Sequence, residues 1–300
     1  MPTLQALTAI AAVAFLQPGP AALRGIFEEG LERRRTEYGV FDQRTAQAAR
    51  DLGMFLSRHG EEADARNVLD QVVRIDESLF GAADPRTLKD VAELAAVTPP
   101  EKAERLWKRA SETPEPSIAA RALSELGRLH ALAGDRAGAI AFYRHALAKN
   151  EESAGKNTAA VALDLNALSK LVDAPEAVAL LERALAIDRH VLGSLHAETA
   201  TTEANLAGLL ADSPRNAEAI RLASDALAIF RQTVGPDHPR TAVAASILGY
   251  AYEVKGDRRQ AESMYRLALS IDSRVYGSQD THALNDARVL SEFLQTAPPR

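Results

Sequence analysis

Apolar residues along this chain fall into amphipathic runs that come in pairs, and within each pair small and bulky residues stand at fixed places. The first run carries a large residue followed by a small one: Leu52-Gly53, Leu94-Ala95, Leu126-Gly127, Leu206-Ala207 and Leu248-Gly249. The second run carries two alanines seven residues apart, which is two helical turns on one face. These are Ala103 and Ala110, Ala139 and Ala146, Ala177 and Ala184, Ala219 and Ala226, and Ala261 and Ala268. In most units a bulky residue stands three positions before the second small one: Phe27, Leu69, Trp107, Tyr143, Leu181 and Tyr265. Small residues allow two helices to approach closely and a bulky one fills the adjacent space. The pattern therefore predicts antiparallel helix pairs that pack knob into notch.

The punctuation between pairs repeats as well. Gly193, Gly235 and Gly277 open three connectors 42 residues apart, and Gly39 and Gly81 open two more at the same spacing. Connectors such as Gly81 to Thr87 and Gly235 to Thr241 read as a helix stop followed by a helix start. Glycine supplies a left-handed residue to end one helix, Asp caps the next, and Pro suits its first turn. His196 and His238 occupy equivalent connector positions, and a turn role explains both. A fixed period of this length indicates a solenoid, in which each unit buries its apolar stripe against its neighbours and about three units are needed for stability. Armadillo and HEAT arrays share a period of roughly 40–47 residues, but they do not explain the paired alanines or the Leu-Gly steps.

The register has departures. Residues 88–112 form a shortened unit containing Pro99-Pro100, and its following connector, Thr113 to Ser117, lacks the glycine. A bend near 99–117 is the expected consequence, with a binding insertion as the alternative. Asn166 replaces the small residue of one first helix, and Ala223 replaces the bulky residue of one second helix. Two readings stand for residues 1–21: the first helix of an additional unit, since Thr3 lies 42 before Thr45, or an uncharged secretory signal ending at Pro18-Gly19-Pro20. From residue 22 to 281 the expectation is a repeat array of about seven units including that first one, followed by a closing helix at 282–295 and a tail at 296–300.

Composition narrows the function classes. Apolar residues make up 46% of the chain and aromatics only 5%, which favours helices. The net charge of −6 argues against nucleic acid, whose phosphates demand a basic surface. Without cysteine there is no disulfide, thiolate nucleophile or Cys-type zinc site. None of the seven histidines forms the helical metal-binding pair with an intervening Glu, and no phosphate loop, dinucleotide fingerprint or nucleophile elbow is present. The sequence offers no catalytic, metal or cofactor site and gives no reason to expect a small-molecule substrate. No apolar run is long enough for a membrane span, and the compartment stays open between cytoplasm and export.

The Leu-Gly and Ala/bulky/Ala signatures resemble the tetratricopeptide repeat, and the 42-residue period with Gly235 to Thr241 is similar to the longer variety of kinesin light chains. The resemblance covers nearly the whole chain. It implies an all-α right-handed superhelical solenoid whose first helices (helix A) line a concave peptide-binding face. The residue before the helix A leucine in successive units is Asp51, Glu93, Glu125, Asp164, Asn205 and Ile247. Arg50, Lys89, Arg121 and Arg128 lie close to those acids in sequence. One reading is a set of local ion pairs on a solvated face, each worth under about 1 kcal/mol. The other is a groove that favours a basic or mixed-charge polypeptide, with Asn205 hydrogen-bonding its extended backbone. The basic and Asn residues with which relatives grip acidic tails are matched here only at Asn205. The expected function is a non-catalytic scaffold or adaptor for a protein or extended peptide, with a regulatory or sensor module acting through a separate effector as the alternative.

Overall fold

A computed structural model describes residues 19–296, so all but the last three residues of the 1–21 segment, and with them its two readings, and the end of the expected tail lie outside the described residues. Fourteen α-helices occupy that span, and no strand occurs among the described residues. They run α1 (Pro20–Tyr38), α2 (Gln43–Arg58), α3 (Glu62–Phe80), α4 (Pro85–Ala96), α5 (Pro100–Ala110), α6 (Pro116–Leu132), α7 (Arg136–Ala154), α8 (Ala159–Ser169), α9 (Ala174–Val191), α10 (Ala197–Leu210), α11 (Asn216–Thr233), α12 (Pro239–Lys255), α13 (Arg258–Val275) and α14 (Thr281–Gln295). The chain divides into two units, α1–α6 and α7–α14, with the boundary after Ala133. Within each unit every helix packs on the next, and helix A of one pair also touches helix A of the following pair, as α4 does α6 and α10 does α12.

The knob-and-notch expectation holds. All ten paired alanines of the second helices (helix B) are buried. A methyl group added at Gly53 would come within 2.8 Å of the Leu69 side chain, and one at Gly249 within 2.8 Å of the Tyr265 ring. The notch is thus empty because the knob occupies it. Between α10 and α11 the same register carries Ala207 and Ala223, both buried, so a small knob faces a slightly filled notch. The shortened unit is α4–α5, whose helices span 12 and 11 residues.

The connectors differ from expectation in one respect. Gly39 and Gly81 end their helices at φ 88° and 95° with ψ near extended (169° and 159°), not in the left-handed helical conformation. Only glycine occupies that region comfortably. Gly256 takes the left-handed conformation, at φ 85°, ψ 7°. A second lock closes the connectors. Thr45, Thr87, Thr199 and Thr241 are fully buried, and each hydroxyl donates to the carbonyl of the glycine six residues back, at 2.7–2.9 Å. Asp42, Asp84 and Asp280 cap the following helices. His196 and His238 do the same through Nδ1, which accepts from the backbone N–H two residues on at 3.1 Å. At 235–241 the cap is therefore His238, while Asp237 pairs with Arg274 at 2.6 Å.

Candidate functional site

In the first unit the helix A positions before the leucine are at least partly accessible, and each has a partner on its own or a neighbouring helix. Asp51 is exposed and accepts from Gln47 at 2.8 Å. Glu93 on α4 meets Arg121 of α6 at 2.8 Å, and Glu125 meets Arg128 on its own helix at 2.8 Å. Side chains this exposed gain little from pairing, under about 1 kcal/mol each.

Arg50 departs from the expected pattern. It does not pair with Asp51 but turns across the α2–α3–α4 junction. Its guanidinium donates bidentately to Asp90, with Nε and one Nη each at 2.7 Å, and the same Nη reaches Asp76 at 3.1 Å. Asp76 and Asp90 are 1% and 2% exposed, so two buried carboxylates share one partly exposed cation at the floor of a cleft of about 550 Å³. Burial raises the Asp76 pKa to about 7, and the neighbouring Asp90 adds to the rise against the pull of Arg50. Burial disfavours the charged form, and the guanidinium does not fully offset that cost together with the second carboxylate, so one acid favours a proton. A fork-shaped donor fits this geometry better than a point charge would.

In the second unit Asp164 is buried and accepts from Asn150 of α7 at 2.6 Å, so it belongs to helix packing and not to an open acidic row. Asn205, in contrast, is half-buried on the wall of a groove of about 450 Å³ between α8, α9 and α10. Its Nδ2 donates to Oδ1 of Asn166 at 3.2 Å, and Asn166 donates to Thr202 at 2.8 Å. Thr202 in turn donates to the buried carboxylate of Asp188 at 2.6 Å, whose pKa burial raises. Asn166 replaces a small packing residue because it anchors this chain of hydrogen bonds. The exposed Leu163 lies on the same groove, giving it an apolar patch beside the amide.

The apolar register hid Asp76, Asp90 and Asp188. A signal was available: aligned on the repeat, the helix B acids stand seven residues after the bulky position, and their partners follow 14 residues later. Among the described residues no three His, Asp or Glu side chains gather so as to hold a metal ion, and no helix there is long and apolar enough to cross a membrane.

Tetratricopeptide-repeat family models match residues 45–86, 119–163 and 203–274, together more than half of the chain. The chain belongs to the tetratricopeptide repeat family. The repeat architecture is that of a protein–protein interaction scaffold. No curated protein matches the sequence significantly. Among solved structures the chain is similar to BtubC (BKLC) from P. vanneervenii, at 22% identity and a TM-score of 0.59 over 72% of this chain and 92% of that one. It is also similar to PilF of Pseudomonas aeruginosa, at 16% identity and a TM-score of 0.56 over 81% and 97%. A putative kinesin light chain from Podosopora anserina with nearly identical TPR-like repeats aligns at 20% identity and a TM-score of 0.41 over 77% and 96%. At these identities the first two establish the shared fold of this tetratricopeptide repeat chain and nothing about its partner.

Proposed function

We propose that the chain is a non-catalytic scaffold or adaptor that holds an extended, basic or mixed-charge polypeptide on its helix A faces. The observation that carries this reading is the Asn205 amide. Asn166 fixes its Nδ2, Asn166 is itself held by Thr202, and its Oδ1 accepts no hydrogen bond from the described residues. An oriented carbonyl beside an apolar patch is preorganised to accept from a backbone N–H, so little ordering entropy remains to be lost on binding. In the first unit the acids Asp51, Glu93 and Glu125 supply a negative field for basic side chains. The solvent-accessible ion pairs of Glu93 and Glu125 and the Gln47 contact of Asp51 are weak and exchange readily for a partner's cations.

Selection of unstructured peptides from a displayed library against the full chain tests the reading. The selected peptides are expected to be rich in Arg and Lys, to lose at least about tenfold in affinity (about 1.4 kcal/mol) on Asn205→Ala, and to weaken with Asp51→Asn, Glu93→Asn and Glu125→Asn combined. Acidic tail peptides are expected to bind weakly. A tight, salt-sensitive complex with an acidic tail, or selected peptides indifferent to both variants, would overturn it.

A further inference from the structure

The α2–α3–α4 junction has a counterpart at α12–α13–α14. Aligned on the repeat, Asp272 stands where Asp76 does, seven residues after the bulky Tyr265, and Asp286 stands where Asp90 does, four residues before Leu290. The same alignment puts Ser246 in the place of Arg50, two residues before the helix A leucine. The chain thus builds the carboxylate pair twice and supplies its cation once.

The second pair is left wanting a donor. Asp272 is 8% exposed, and its Oδ1 is buried with no hydrogen-bond partner; Oδ2 of Asp286 is in the same condition. Both line a cleft of about 220 Å³ together with Ser246, Val243 and His282. Burial raises the pKa of each, that of Asp286 to about 6. Arg288 is held by Glu292 at 2.8 Å and Asn285 at 3.0 Å, and the one basic side chain lining the cleft among the described residues is His282, whose ring stacks on Tyr276 at 5.0 Å and opposes the rise at both acids without hydrogen-bonding either. A buried carboxylate without a donor is costly, and Ser246, in the register position of Arg50, lines the cleft.

We propose that the cleft between α12, α13 and α14 receives an arginine side chain presented by a partner polypeptide. The guanidinium takes the place that Arg50 fills at the first junction, forking onto Asp286 and touching Asp272, while Val243 packs beside its methylene stem. Arginine is favoured over lysine because the chain's own solution at the equivalent site is bidentate. The partner being a polypeptide rests on the scaffold reading above, whereas the arginine receptor does not.

The test uses the full ¹⁵N-labelled chain titrated with Nα-acetyl-arginine methylamide, its citrulline counterpart, and an acetylated Gly-Ala-Arg-Ala-Gly peptide. Amide signals of α12–α14 are expected to shift with both arginine compounds and not with citrulline. The peptide is expected to bind at least about tenfold tighter than the single residue, because neighbouring backbone adds contacts. Asp286→Asn is expected to weaken both by at least about tenfold (one step of 1.4 kcal/mol), and Ser246→Arg to abolish binding by filling the cleft from within. Asn205→Ala, which disables the groove of the scaffold reading, is expected to leave acetyl-arginine methylamide binding unchanged, so the two readings fail separately. Equal binding of citrulline, or a folded Ser246→Arg chain that binds as before, overturns the proposal. A peptide no tighter than the single residue overturns its polypeptide occupant.

Discussion

The α2–α3–α4 and α12–α13–α14 junctions share one apolar blueprint and end in opposite electrostatic states. Each has a glycine notch, at Gly53 and Gly249, filled by the helix B knob Leu69 or Tyr265. Each buries an acid from helix B against the next helix, Asp76 or Asp272. At the first, Arg50 reaches across the cleft to both acids; at the second, Ser246 supplies no cation. Packing positions in a solenoid are constrained by both neighbours, so the chain repeats them. Polar positions on the helix A face are constrained only by what must meet them, and that is where one junction can become structural and another receptive.

The largest effect expected from breaking this comparison comes from Arg50→Ala. It strands Asp76 and Asp90 in a buried site, and losing one partner of such a cluster costs about 3–5 kcal/mol. Chemical denaturation at neutral pH should show it. An unchanged midpoint would mean that Arg50 does not hold the buried pair.

Overpacking comes next. Ala219→Leu and Ala261→Leu should each cost about 1–3 kcal/mol, and Gly249→Ala a similar amount, because the Tyr265 ring it meets is pinned by Glu253 at 2.6 Å and by the edge of Phe293. In a double-mutant cycle Gly249→Ala and Tyr265→Ala should couple, since the clash needs both residues. Strict additivity would separate knob from notch.

A smaller effect is a pH slope. Asp76 is raised in the fold to about 7, against an ordinary aspartate value of about 3.9. The folded chain therefore binds more protons than the unfolded one between those limits. The stabilising contribution is complete below about pH 4 and is lost as pH rises to about 7. Asp286, raised to about 6, contributes with the same sign over a narrower window. Urea midpoints should fall from pH 5 to pH 8, and Asp76→Asn should flatten most of the slope; a midpoint that rises with pH would contradict the site.

The smallest expected change is a gain. Ser246→Arg should make the second junction resemble the first and stabilise the chain by about 1 kcal/mol, the ordinary net yield of a charge-assisted hydrogen bond less its desolvation. A loss in thermal melting would show that the two junctions differ in more than the missing cation.

Much of the fold was legible in the residues, because its grammar is local. A helix stop at Gly81, a cap at Asp84 and Pro85 in the first turn act within a few residues. The paired alanines are visible because a helix spaces them at seven. Of the candidate site, Glu125 and Arg128 form a local pair as expected, Glu93 and Arg121 pair across two helices, and Asn205 lies in a groove. Asp164 is instead buried under Asn150, and Arg50 leaves its sequence neighbour Asp51 for acids 26 and 40 residues away.

The sequence by itself determined the period, the helix pairs, the knob and notch positions and the turn roles of His196 and His238. These follow from steric and hydrogen-bonding rules that act over one or two turns. Only the tertiary structure decided which carboxylates are buried together, which of those pairs has a cation, and that Thr87 and its counterparts clasp the connector glycines. Burial and charge balance depend on which helices meet, and a carboxylate on an isolated helix has the same identity whether it ends in water or beside another acid.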